Sequence, residues 1–188
     1  MRIGFTGSQC SGKSTQAKFL EDRDGFIAVP SASNIAAKNG VIVNREGDLS
    51  TQFVIIGKIE EQKYLYHQED LVWERTHIDA LAYSQTCNLW GLDEAYLTIH
   101  RALAINQMKH YFDIVFYFPA YPLDNFLGEL NNGVRDIDPE YRNRIDTIIK
   151  TELDLAYIDY YSVPEGNVKY VHDFIKKTIH GEKSRRTS

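Results

Sequence analysis

The chain has 188 residues and a formal net charge of −5, with 43% apolar and 25% charged residues. These proportions exclude a disordered chain, a collagen and a coiled coil, and the length suits one domain with its own core. The acidic balance argues against a dedicated nucleic-acid binder, which carries a basic excess, although a local basic groove can sit on an acidic protein.

No run approaches the roughly 18 apolar residues of a membrane span. The apolar stretch in Met1–Gly7 is too short for a secretory signal. Cys10 and Cys87 make neither a disulfide framework nor a zinc pattern, and the six histidines show no metal-ligand spacing. A reducing, cytoplasmic setting without membrane contact is the expectation.

Ile3-Gly4-Phe5 reads as a short strand entering a glycine-rich turn, and a helix from Ser14 closes near Gly25. Phe26–Val29 reads as a second strand, stopped by Pro30. Residues 31–50 break every period, with at most a helical turn at Ile35-Ala36-Ala37. Helical spacing returns over Thr51–His67, and Leu71-Val72-Trp73 reads as a third strand. Two helices follow, one around Ile78–Gln85 and one over Asp93–Tyr111, separated at Gly91. Asp113–Phe118 is a continuous apolar run of the kind found in central parallel strands. Residues 119–137 are polar and loop-like. Asp138-Pro139-Glu140 starts a helix to about Tyr157, with Asp as cap and Pro in the first turn. Ile158–Val163 reads as a fifth strand, and a last helix follows Pro164–Asn167. Alternating strands and helices predict an α/β fold with a parallel five-stranded sheet flanked by helices. Residues 1–181 are expected as one domain and 182–188 as a flexible polar tail.

Gly7-Ser8-Gln9-Cys10-Ser11-Gly12-Lys13-Ser14 fits G-x-x-x-x-G-K-[ST]. Such a pattern arises by accident in roughly one chain of this size in a hundred. Here it also joins a strand to a helix, as its mechanism requires. The glycines let backbone N–H groups turn toward phosphate oxygens, and the helix offers them its positive end. Lys13 can reach the β- and γ-phosphates, and the Ser14 hydroxyl can bind Mg²⁺. Cys10 reads as a small loop residue.

With Thr15 added, this segment resembles the opening of the P-loop nucleoside and nucleotide kinases. It is most similar to the AAA-type ATP-binding domain of nicotinamide-riboside kinase domains and many bacteriophage kinases. The resemblance extends through Trp73–Tyr83, Asp113–Pro119 and Gly133-Val134-Arg135-Asp136, in the family's order. It implies a P-loop NTPase fold with an arginine-bearing lid. It also implies ATP held by Gly7, Ser8, Gln9, Cys10, Ser11, Gly12, Lys13, Ser14 and Thr15, and Mg²⁺ held by Ser14 and Glu74. Lys13, Glu74, Arg75 and Arg135 are the expected catalytic set. The pair Glu74-Arg75 resembles the family's acid-arginine motif, and Arg135 matches its Gly-x-Arg position. Many relatives carry an acid after the second strand as general base; here Pro30-Ser31-Ala32-Ser33 stands instead.

Asp79, five residues past Glu74, suits a solvated helix face, whereas the resemblance implies a more structural role for it. Of Arg142 and Arg144, about 200° apart on a helix, only one can face a given phosphate. The aromatic residues Tyr64, Tyr66, Trp73, Tyr83 and Trp90 read mainly as core, and Gln52 as exposed. The implied activity is transfer of the γ-phosphate of ATP to a nucleoside or nucleoside monophosphate. Two alternatives stay open: a kinase acting on a hydroxyl of nucleic acid, such as a modified base or strand end, and a nucleotide-hydrolysing switch. A homodimer is also left open. The Asn-Lys-x-Asp motif of GTPases is not seen.

Overall fold

The structure is a computed structural model that describes residues 1–43, 46–67, 70–86, 94–122 and 138–186. The described strands are β1 (Arg2–Thr6), β2 (Ile27–Val29), β3 (Leu71–Trp73), β4 (Ile114–Tyr117) and β5 (Tyr161–Ser162). They form one sheet in the order β2-β3-β1-β4-β5, and each neighbouring pair is parallel. The described helices are α1 (Lys13–Asp24), α2 (Ala32–Lys38), α3 (Leu49–Leu65), α4 (His77–Thr86), α5 (Glu94–His110), α6 (Pro139–Leu155) and α7 (Val168–Arg186).

The two-residue alternation of strands distributes the core over both faces of the sheet. Ile3, Phe5, Val72, Ile114 and Phe116 point to the face covered by α1 and α7. Val115 and Tyr117 point to the opposite face, covered by α4, α5 and α6. On that same side of β3, Leu71 and Trp73 pack with α2 and α3. Ile145, Ile149 and Leu153, spaced by four on α6, are fully buried and form the apolar stripe of that helix.

Gly25, with φ 76°, closes α1 in the left-handed conformation. Asp48 caps α3 by accepting a bond from the Thr51 N–H. Asp138 caps α6 with Pro139 in its first turn, as expected from the sequence.

Three expectations need correction. Residues 32–38 form a full helix, because Ala32 and Ala36 bury against Val29 and Ile55 although the polar residues between them hide the period. The fifth strand has only two residues, since beyond them the chain pairs through the single bond from Val163 N–H to Tyr117 C=O. The segment 182–188, expected as a frayed tail, continues α7 as helix through Arg186. Arg186 donates to the carboxylate and the carbonyl of Asp113, and Glu182 accepts from the Tyr161 hydroxyl at 2.5 Å. Local composition could not reveal anchors that lie far away in sequence.

Candidate active site

In this strand order β1 lies between β3 and β4, so the segments leaving all three meet at one rim. Open parallel sheets bind ligands along this carboxyl edge, where successive connections leave in opposite directions. The loop Gly7–Gly12 follows β1 here. Gly7 has φ 146°, and a Cβ at that position would stand 2.3 Å from the Phe118 carbonyl oxygen, so only glycine fits. Gly12 (φ 91°) and Cys10 (φ 57°) complete the reversal into α1.

Lys13, only 6% exposed, folds over this loop. Its ammonium donates to the carbonyls of Gly7 at 2.7 Å and Ser8 at 2.5 Å and to Ser11 Oγ at 2.9 Å. Ser8 Oγ is buried and has no hydrogen-bond partner among the described residues. An unsatisfied buried hydroxyl is costly, and an anion in the loop would satisfy it. Cys10 and Ser14 are partly exposed and Thr15 is exposed.

Glu74 and Arg75 leave the end of β3. Ser14 Oγ donates to Glu74 Oε2 at 2.7 Å, so the sheet brings together two residues 60 positions apart. This pair offers hydroxyl and carboxylate oxygens, the donor set that Mg²⁺ prefers. The phosphate-binding loop and the Ser14–Glu74 pair therefore fit a magnesium-bound nucleoside triphosphate.

Asp79 is structural and does not lie on a solvated helix face. It is 1% exposed and accepts four bonds. Oδ1 takes Gly7 N–H at 3.1 Å and Arg75 Nη1 at 3.4 Å; Oδ2 takes the N–H and Oγ1 of Thr76, both at 2.9 Å. Asp79 thus ties the mouth of the phosphate loop to the segment after β3. Arg75 Nη2 also donates to Tyr83 Oη at 3.3 Å, and Tyr83 donates to Gln9 Oε1 at 2.7 Å. Burial opposes charge on Arg75, but Tyr83, Asp79 and Glu74 outweigh it and hold the pKa above its usual value. Burial raises the Tyr83 pKa despite Arg75.

The structure also separates the two arginines of α6. Arg144 is exposed, whereas Arg142 is 3% exposed and donates to the carbonyls of Gln9 at 3.0 Å and Tyr121 at 3.1 Å. These two backbone carbonyls hold its guanidinium against the loop. Burial lowers the Arg142 pKa. One turn further on, burial raises the pKa of Asp146, which accepts from Tyr117 Oη at 2.7 Å. No sequence signal marked this contact of α6 with the loop, because it depends on how β4 and α6 pack.

A cleft opens beside the loop, between α2, α3 and α4. Arg75, Asp79, Tyr83, Val43, Ile55 and Gln52 are among its lining residues. Gln52, expected as exposed, is 1% exposed because it lies on the inward face of α3. Of the aromatic residues, Trp73 is core against Tyr111 and Phe112, Tyr64 is 84% exposed, and Tyr83 lines this cleft. Arg135, with Gly133 and Asp136, lies outside the described residues, as do Trp90 and Cys87. No helix among the described residues is long and apolar enough to cross a membrane.

The strand order and the phosphate loop define a P-loop NTPase of the nucleotide-kinase fold. A family model described as an AAA domain matches residues 2–170, and the chain belongs to that family. Among solved structures, it is similar to deoxyadenosine kinase from M. mycoides with bound dATP (TM-score 0.67, 16% identity, 96% of this chain and 99% of that one). It is also similar to thymidylate kinase from Ehrlichia chaffeensis (TM-score 0.62, 18% identity, 95% and 98%). A third is the NadR protein in complex with NAD and AMP-PNP (TM-score 0.71, 12% identity), where the match covers 97% of this chain and 49% of that one. No curated protein matches the sequence.

Proposed function

We propose that the chain is an ATP-dependent kinase that transfers the γ-phosphate to a nucleoside or nucleoside monophosphate. The observation that carries this reading is the 2.7 Å bond between Ser14, at the start of α1, and Glu74, at the end of β3. It joins the triphosphate loop to an acid beside a second cleft. The similarity to nucleoside and nucleotide kinases supports the same reading.

In this reading the backbone of Gly7–Thr15 binds the triphosphate, and Lys13 leaves its carbonyl partners to neutralise charge on the β- and γ-oxygens. Ser14 and Glu74 hold Mg²⁺, which when bound neutralises phosphate charge and fixes the γ-phosphoryl group. Arg75 faces the acceptor. Arg135, outside the described residues, would by the resemblance stabilise charge on the transferred group.

Two variants test it, assayed for label transfer from γ-labelled ATP. Lys13→Ala should keep the fold by circular dichroism and lose on the order of 3 kcal/mol of transition-state stabilisation, about a hundredfold in turnover. Glu74→Gln should lower turnover more than ATP affinity and shift the Mg²⁺ requirement upward. Turnover equal to that of the unmodified chain in both variants would refute the assignment.

A further inference from the structure

Resting on that reading for the ligand of the loop, we infer that Tyr83 and Arg142 are positioning residues for nucleotide binding, and that both act through Gln9. Gln9 is the third residue of the phosphate loop and is 2% exposed. Two helices distant in sequence hold it, one by its side chain and one by its backbone. From α4, Tyr83 Oη donates to Gln9 Oε1 at 2.7 Å, across 74 positions. From α6, Arg142 Nε donates to the Gln9 carbonyl at 3.0 Å, across 133 positions. Arg142 Nη2 donates in turn to the Tyr121 carbonyl at 3.1 Å, so one planar guanidinium ties the loop to the segment after β4. The rings of Tyr83 and Tyr141 meet edge-on with centroids 6.3 Å apart, which packs the two holding helices against each other.

In a planar trans peptide the carbonyl and the following N–H point in opposite directions. The first two peptides of the loop, Gly7–Ser8 and Ser8–Gln9, have their carbonyls on the Lys13 ammonium. The third, Gln9–Cys10, has its carbonyl on Arg142 instead. Holding that carbonyl fixes the Cys10 N–H on the reverse side of the peptide. Cys10 itself stands at a φ of 57°, a conformation that a residue other than glycine keeps where its surroundings impose it. Phosphate loops bind through backbone N–H groups, and a peptide already held needs less ordering when the anion arrives. Tyr83 fixes the side chain of the same residue. Burial raises its pKa, so at neutral pH the phenol is protonated and donates. Tyr83 also lines the cleft, so a single phenol spans cleft and loop. A cation that acted on the triphosphate by charge alone would be replaceable by lysine, whereas a fork set on two carbonyls would not.

The experiment titrates the full chain with Mg²⁺ and AMP-PNP by calorimetry. Tyr83→Phe keeps the ring and removes the donor; Gln9→Met keeps the length and removes the acceptor. Each should raise the Kd about fivefold, and the double variant no further, because both delete the same bond. Arg142→Lys keeps the charge and should still raise the Kd about tenfold, close to the effect of Arg142→Met. In the nucleotide-free variants, amide exchange should quicken in the peptide spanning residues 7–12 and stay unchanged in β4, which separates release of the loop from general loosening. Affinities of Tyr83→Phe and Gln9→Met equal to that of the unmodified chain, or additive losses in the double variant, overturn the inference. So does an unchanged Kd in Arg142→Lys. Each of these leaves the kinase reading standing, whereas an unmodified chain that does not bind the analogue overturns both.

Discussion

Four donors converge on the carboxylate of Asp79, and only one of them, Gly7 N–H, belongs to the phosphate loop. The residue is therefore a positioning group: it holds the loop entrance in register with Thr76 and Arg75. Asp79→Asn would keep the shape but set an amide NH₂ against N–H and O–H donors. The expected cost is about 2–4 kcal/mol of stability, because a buried donor loses its acceptor. Urea unfolding should show this loss, and the ATP KM should rise even where the variant is fully folded. From the residues alone Asp79 looks solvated, and only the resemblance points to a structural role. An acid in the first turn of a helix suits the helix dipole, and nothing local shows that Gly7 approaches it from 72 positions away. Lys13 and Ser14 stand out because the loop pattern fixes their spacing, and Glu74 because it follows a predicted strand in a segment that resembles the family's acid-arginine motif. Packing alone separates Arg142, buried against the loop carbonyls, from the exposed Arg144.

At the level of elements, the unit β1–loop–α1 was readable because three local signals agree: an apolar strand, glycines at positions of positive φ, and a helix start. The same agreement makes it brittle. Gly7→Ala would force a Cβ to 2.3 Å from the Phe118 carbonyl on the neighbouring β4 segment, at a φ of 146° that side chains rarely adopt. Loop or strand must shift, at a cost of several kcal/mol. Nucleotide binding by calorimetry should be lost and the thermal midpoint lowered. Gly12→Ala meets no atom within 4 Å and should be milder, costing only the strain of its positive φ. By contrast, α2 and the end of α7 were unreadable. Their stability comes from contacts with β2, α3 and Asp113, which supply what the local sequence lacks.

For the whole molecule, acid should be the sensitive direction. His100 is 2% exposed between α4 and α5, and neither ring nitrogen has a hydrogen-bond partner among the described residues. Burial, with a smaller contribution from His77, lowers its pKa to about 4. His77 Nε2 stands 2.9 Å from Glu60 Oε1 on α3, and His77 followed by Lys63 holds the Glu60 carboxyl down to about 2. Below the unfolded histidine value near 6.5, the unfolded chain binds a proton at His100 that the native state refuses, so falling pH favours unfolding. Between pH 7 and 5 this should remove about 2 kcal/mol, read as a fall in the urea midpoint. His100→Gln should flatten that slope. Below pH 4.5 protonation of Glu60 adds a second loss, since its folded pKa is depressed and its contribution exists only above the unfolded value.

Cys10 gives the molecule a built-in chemical footprint. Its thiol is partly exposed and rides on a residue of positive φ inside the loop that would wrap the triphosphate. A small alkylating reagent should modify it slowly in the free protein. Saturating magnesium with a non-hydrolysable ATP analogue should slow that modification at least tenfold, measured by peptide mass so that Cys87 is counted separately. Occupancy of the loop could then be followed in variants that no longer turn over, separating a chain that cannot bind nucleotide from one that binds it and cannot pass it on.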